Sequence, residues 1–170
     1  MFIDSHAHLD DPRFDQDREA IIDGLKENKI DIAVNIGADH ESSLSTLKLA
    51  KQYESIYAVV GVHPHTASEL EEKGLDWLRE LARDEKVVGI GEIGLDFYYD
   101  NSPRDIQRKW FKAQLDLAKE LDLPVVIHTR DAAKETYDIL KEAASDSKLK
   151  VLMHCFSGSA EMAKNYVKLG

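Results

Sequence analysis

Five side chains in this sequence have the chemistry of metal ligands and the spacing to converge: His6, His8, Glu92, His128 and His154. His6 and His8 stand two residues apart at the end of the apolar opening run, residues 1–10, which reads as a buried strand. In an extended chain residues i and i+2 point to one side, so the two imidazoles face a common space with their backbones about 7 Å apart. Taken alone, such a pair also suits two hydrogen-bonded polar residues at a strand end. Four imidazoles with one carboxylate exceed what a single cation uses comfortably, so the set predicts a binuclear site. In that reading His6 and His8 hold one divalent cation, His128 and His154 the other, and Glu92 bridges them with one oxygen each. Cations about 3.5–4 Å apart can share a water, lower its pKa and clamp both oxygens of a displacement.

Those ligands need elements that bring them to one rim. The hydrophobic periodicity predicts strands at residues 30–37, 57–64, 87–96, 124–128 and 149–154 after the opening one, and helices at 14–29, 41–53, 69–84, 104–121, 131–145 and 159–169. Near-continuously apolar strands alternating with helices mean a parallel sheet covered on both faces. Two architectures fit: a doubly wound open sheet and a TIM-like (β/α) barrel. Almost every strand here ends in a polar or metal-ligating residue, which favours the barrel, whose chemistry sits around the whole top face. The chain is expected to be a single (β/α)-barrel domain over 1–170, and because a closed barrel has eight strands, six units leave it lacking the last two.

Composition bounds the function. Hydrophobic residues make up 43% and charged residues 32%, ordinary for a folded globular chain. The opening run carries Asp4 and two histidines, so it reads as neither a signal peptide nor a membrane span. With the single cysteine, Cys155, this predicts a cytoplasmic protein without a disulfide framework. Lysine and arginine number 22 against 32 acidic residues, a net charge of −10, which disfavours wrapping of a nucleic-acid backbone. It leaves room for a local site, because two bound cations reverse the potential where they sit.

The runs FIDSHAHLD at 2–10, GEIGLD at 91–96, PVVIHTRD at 124–131 and HCFSG at 154–158 resemble the TatD family of metal-dependent deoxyribonucleases, barrels of the amidohydrolase-like group. The likeness runs the length of the chain, with four motifs in order. It implies a two-cation site at the C-terminal ends of the strands that hydrolyses DNA phosphodiester bonds from single-stranded or 3′ ends. Carried over residue by residue, His6, His8 and Glu92 match the ligands of the first cation, and Glu92, His128 and His154 those of the second. The metal, Zn, Mg or Mn, is not specified. The family's remaining ligand, an aspartate in a Glu-Thr-Asp-x-Pro motif that would also serve as general base, does not occur in this sequence.

Several neighbours have two readings. Arg130 shares the face of His128 and either grips a phosphate bidentately or pairs with Glu92 or Asp96. His63 and His65, in GVHPH, reach the same rim as substrate contacts or hydrogen-bonded supports rather than ligands. Asp96 and Asp4 are expected on the ligand face, steadying histidines. Cys155 should face the helices as a small core residue. Tyr98 and Tyr99 either stack on bases or pack as a lid. Beside the nuclease reading stand an amidohydrolase-like enzyme acting on a small ester, amide or phosphate, an aminoacyl-tRNA deacylase, and an inactive metal-binding fragment.

Overall fold

The computed structural model describes residues 2–71, 73–145 and 149–169. Among them, strands β1 (Phe2–Ala7), β2 (Ile30–Ile36), β3 (Ile56–Val60), β4 (Val87–Asp96), β5 (Val125–Arg130) and β6 (Val151–Met153) alternate with helices α1 (Arg18–Gly24), α2 (His40–Gln52), α3 (Gly74–Leu81), α4 (Arg104–Glu120), α5 (Ala133–Ala143) and α6 (Ala160–Val167). Every neighbouring pair is parallel, and the spatial order β1-β2-β3-β4-β5-β6 repeats the chain order. A doubly wound sheet reverses its order at a switch point. This one never does, so the six strands form a half-barrel of the TIM type.

The two faces of the sheet are separated by alternation. Ala33, Ile56, Ala58, Val60, Val125 and Ile127 join the large core beneath the helices, whereas Ile36, Val59 and Val126, an odd number of residues away along their strands, form a smaller cluster with Val34, Val88 and Leu152. Helix α4 supplies much of the large core through Trp110, Phe111, Leu115, Leu117 and Ala118.

Two irregularities in the ladder decide where the chemistry points. Between Ile90 and Ile93, β4 advances three residues while β5 advances two, from Val125 to Ile127. That bulge lets Ile90 and Ile93 both enter the helix-side core, and turns Glu92 to the opposite face with Gly94 and Asp96. A similar step lies in β1, where Asp4 pairs with Ala33 but Ala7 pairs with Asn35.

The registers and the element bounds correct several expectations. Asp4 takes the register of Ala33 on the helix side, so it does not share the face of His6 and His8; its Oδ1 accepts the His6 N–H instead, at 3.1 Å. The opening strand is not buried, because β1 is an edge of the described sheet and leaves Phe2 64% and Ile3 57% exposed. The predicted helix over 14–29 is shorter: Asp11 caps a 3-10 turn at Pro12–Phe14, and α1 begins only at Arg18. The helix predicted over 69–84 begins at Gly74, after a 3-10 stretch, Pro64–Glu69, whose first residue is the proline that follows His63. Strand β6 ends at Met153, so His154 lies just beyond it, and Cys155 is exposed with a φ of 44° rather than packed in the core. Among the described residues no helix is long and apolar enough to cross a membrane.

Candidate active site

His8 and His6 close the end of β1. His8 Nδ1 lies 3.0 Å from the Ile36 carbonyl oxygen, which can only accept, so that nitrogen carries the proton and Nε2 presents its lone pair. Nε2 stands 3.3 Å from His6 Nε2, which in turn lies 3.5 Å from Glu92 Oε2. One ligand atom from each of His6, His8 and Glu92 falls within 4.8 Å of the others. His6 Nδ1 is buried with no hydrogen-bond partner among the described residues, while its Nε2 is turned toward His8 and Glu92. A divalent cation held through Nε2 fits the donor set, two imidazoles and one carboxylate.

The approach to Asn35 explains how the β1 end is held. Asn35 is fully buried; its amide oxygen accepts the Leu9 N–H and its NH₂ donates to Asp10 Oδ1 and Thr46 Oγ1, each at 2.7 Å. The residue following His8 is thereby tied to β2.

Glu92, 5% exposed, faces both ways. Its Oε1 lies 3.1 Å from His128 Nδ1, and His63, Glu92 and His128 form a second group with ligand atoms within 4.8 Å. Burial alone would raise the Glu92 carboxyl, but hydrogen bonds from His128 and His6 outweigh it and hold the group well below the usual carboxylate range. It is an anion at any physiological pH.

Asp96, fully buried, is the second organising carboxylate. Oδ2 receives His65 Nε2 at 2.9 Å and His128 Nε2 at 3.0 Å, while Oδ1 accepts the backbone N–H groups of Tyr98 and Tyr99 at 3.0 and 2.8 Å. Burial opposes its charge, and the Tyr99 N–H, His65 and His128 override that, lowering it to about 2. Buried Gln107 on α4 fixes this corner: its Oε1 accepts the Asp96 N–H at 2.8 Å and its Nε2 donates to the carbonyls of Asp96 and Ser102. His128 lies between two carboxylates, whose pull exceeds the effect of burial and raises it above the ordinary histidine value. A position flanked by two carboxylates favours a cation.

His63, expected at the rim as a substrate contact or support, comes within ligand distance of Glu92 and His128. The signal was a histidine before proline at a strand end, but β3 stops at Val60 and the ring reaches Glu92 only through the turn that follows. His63 Nδ1 accepts the His65 N–H at 3.2 Å, and its ring packs 4.4 Å from that of His128. Burial, with His128 nearby, pushes it down to about 3, so it is neutral and carries its proton on Nε2.

His154 stands at the same rim, its ring stacked on His6 with centroids 3.5 Å apart, and it is outside both groups of mutually close ligand atoms among the described residues. Arg130 is exposed at the end of β5, where its guanidinium lies 3.9 Å from the ring centre of Tyr98 and 4.7 Å from that of Tyr99.

Against known proteins, the family model described as TatD related DNase matches residues 3–170. The metal-dependent hydrolase YabD of Bacillus subtilis is 42% identical over 169 residues, 99% of this chain and 66% of that protein. The 3′-5′ ssDNA/RNA exonuclease TatD of a Rahnella strain is 37% identical over 164 residues, 96% of this chain and 62% of its own length. The chain thus spans just under two thirds of the length of such relatives. The crystal structure of YjjV, the TatD homologue of Escherichia coli K12, superposes with a TM-score of 0.90 at 33% identity, covering 99% of this chain and 65% of that one. The half-barrel shared with YjjV and a family-model match from the third residue to the last place this chain in the TatD-related DNase family.

Proposed function

We propose that this chain carries the two-cation centre of a hydrolase that cleaves phosphodiester bonds of single-stranded nucleic acid from the 3′ end. The observation that supports it is the position of Glu92, whose two oxygens face two separate histidine groups. His6, His8 and Glu92 would hold one divalent cation; Glu92 and His128 would hold the other, with His154 as the family likeness implies. Bound there, the cations supply Lewis acidity and a water of lowered pKa.

The protein's own groups do the remaining work. Glu92 stays ionised because His6 and His128 hold it so. Asp96 keeps His128 and His65 in fixed orientations, the role a carboxylate behind a ligand imidazole plays in such sites. His65 contacts the substrate from that anchor. Arg130, seated on an aromatic face, keeps its in-plane N–H groups free for two phosphoryl oxygens. His63 Nε2–H, neutral across the physiological range, donates to the same phosphoryl group.

The names of relatives support the nucleic-acid substrate, as with the 3′-5′ ssDNA/RNA exonuclease TatD. The net charge of −10 favours a small phosphodiester instead, and one assay separates the two. The protein, with Mg²⁺ or Mn²⁺, is incubated with a 3′-labelled single-stranded oligonucleotide and, separately, with bis(p-nitrophenyl) phosphate. Release of labelled mononucleotide that vanishes in His128→Ala is the expected result. Cleavage of the small ester alone would move the substrate class, and cleavage of neither would overturn the proposal.

A further inference from the structure

Beside the candidate centre the chain displays two aromatic rings with no role in the core. Tyr98 and Tyr99 are 57% and 53% exposed, yet their backbone is fixed: both N–H groups are held by Asp96 Oδ1. The rings meet edge to face with centroids 4.8 Å apart, and the Tyr99 ring meets His65 in the same manner at 5.3 Å. The Arg130 guanidinium covers both rings at 3.9 and 4.7 Å.

An exposed tyrosine pair on a mobile turn would be ordinary surface. This pair is anchored to the same buried carboxylate that orients His128 and His65, so its position relative to the reaction centre is set by the sheet and not by solvent. Aromatic faces accept any nucleobase, and a guanidinium seated among them adds charge for the adjoining phosphate. The chemistry of the patch, planar apolar faces with one cation seated on them, matches a base together with its phosphate.

We propose that Tyr98 and Tyr99 form a sequence-indifferent stacking platform for the nucleobase next to the phosphate held by Arg130. This rests on the nuclease reading above and narrows it to a substrate with an unpaired base, since a base inside a duplex has no free face. It assigns the tyrosines to substrate positioning, with no contact to the reacting atoms.

The test compares the affinity of the protein for a fluorescent oligothymidylate with its affinity for an equal-length abasic oligonucleotide, by anisotropy in Ca²⁺. Native protein should prefer the intact strand by roughly tenfold or more, Tyr98→Ala/Tyr99→Ala should bring the ratio near one, and Tyr98→Phe/Tyr99→Phe should preserve it. The ratio is the informative quantity, because loosening Arg130 weakens both ligands alike. A ratio near one in native protein, or one unchanged in the alanine double variant, overturns the platform. Bis(p-nitrophenyl) phosphate has no nucleobase, so failure of the native protein to hydrolyse it and the labelled oligonucleotide removes the nuclease reading independently of the binding ratio.

Discussion

His6 and His154 stack face to face, their planes 16° from parallel. Two imidazolium ions repel at that separation, and His154, through burial and the charge it would meet on His6, lies below the ordinary histidine value. His63, faced by His128, His65, Glu92 and Asp96, is lowered to about 3. A histidine depressed in the folded state binds fewer protons there than in the unfolded chain, so its contribution is present above the unfolded value of 6.5 and is lost as the pH falls below it. His128, which is raised, contributes in the opposite sense, losing its share as the pH rises through its folded value. We predict that the melting temperature of the metal-free protein, followed by scanning fluorimetry in chelator, falls steadily from pH 6.5 to pH 4. A rise over that interval would contradict the burial of His63 and His154.

Gly94 has a φ of 142°, and a Cβ there would lie 2.0 Å from the His128 carbonyl oxygen. Gly94→Ala therefore forces β4 and β5 apart between the two carboxylates, Glu92 and Asp96. The expected loss is about 2–4 kcal/mol of folding stability in urea titration, larger than for an ordinary strand glycine. An unchanged midpoint would mean that the close approach at His128 is not maintained in solution.

Asn35→Ala should destabilise the chain by about 1–3 kcal/mol, because it strips the buried Leu9 N–H, Thr46 and Asp10 of their shared partner. Since Leu9 follows His8, the same variant should also weaken divalent-cation binding. Calorimetry with Mn²⁺ at a temperature where both proteins are folded reads that second effect, and equal affinities would confine Asn35 to stability.

The order of strands and helices, and the rim positions of Glu92, Asp96 and His128, are legible in the sequence because apolar runs and two-residue alternation are direct consequences of pleating and burial. Alternation alone misplaces Asp4, since the β1 bulge cannot be read from residue types. It also leaves Ile90 and Glu92 on one face, and only the unequal pairing against β5 separates them. His63 is hidden for a related reason: its approach to Glu92 depends on where β3 stops and how the proline turn folds. Cys155 departs from the strand alternation because β6 ends at Met153. Exposure of Phe2 and Ile3 follows from neighbours, which an apolar run does not specify.

Asp96→Asn keeps an oxygen for the Tyr98 and Tyr99 N–H groups but replaces the acceptor shared by His65 and His128 with an amide NH₂, which can only donate. Loss of that charge should lower the His128 titration midpoint, seen in its ring-proton chemical shifts, and weaken cation binding by about 10–100-fold. A midpoint unmoved from that of the native protein would show that Asp96 does not act on His128.

The direct test of the bridging role of Glu92 is equilibrium dialysis against Mn²⁺, with metal content measured for the native protein, His6→Ala and Glu92→Gln. If one carboxylate serves both histidine groups, the native chain binds two equivalents, His6→Ala retains one, and Glu92→Gln retains neither at the same free-metal concentration. Glu92→Gln protein that is folded by circular dichroism and still binds two equivalents would contradict the account.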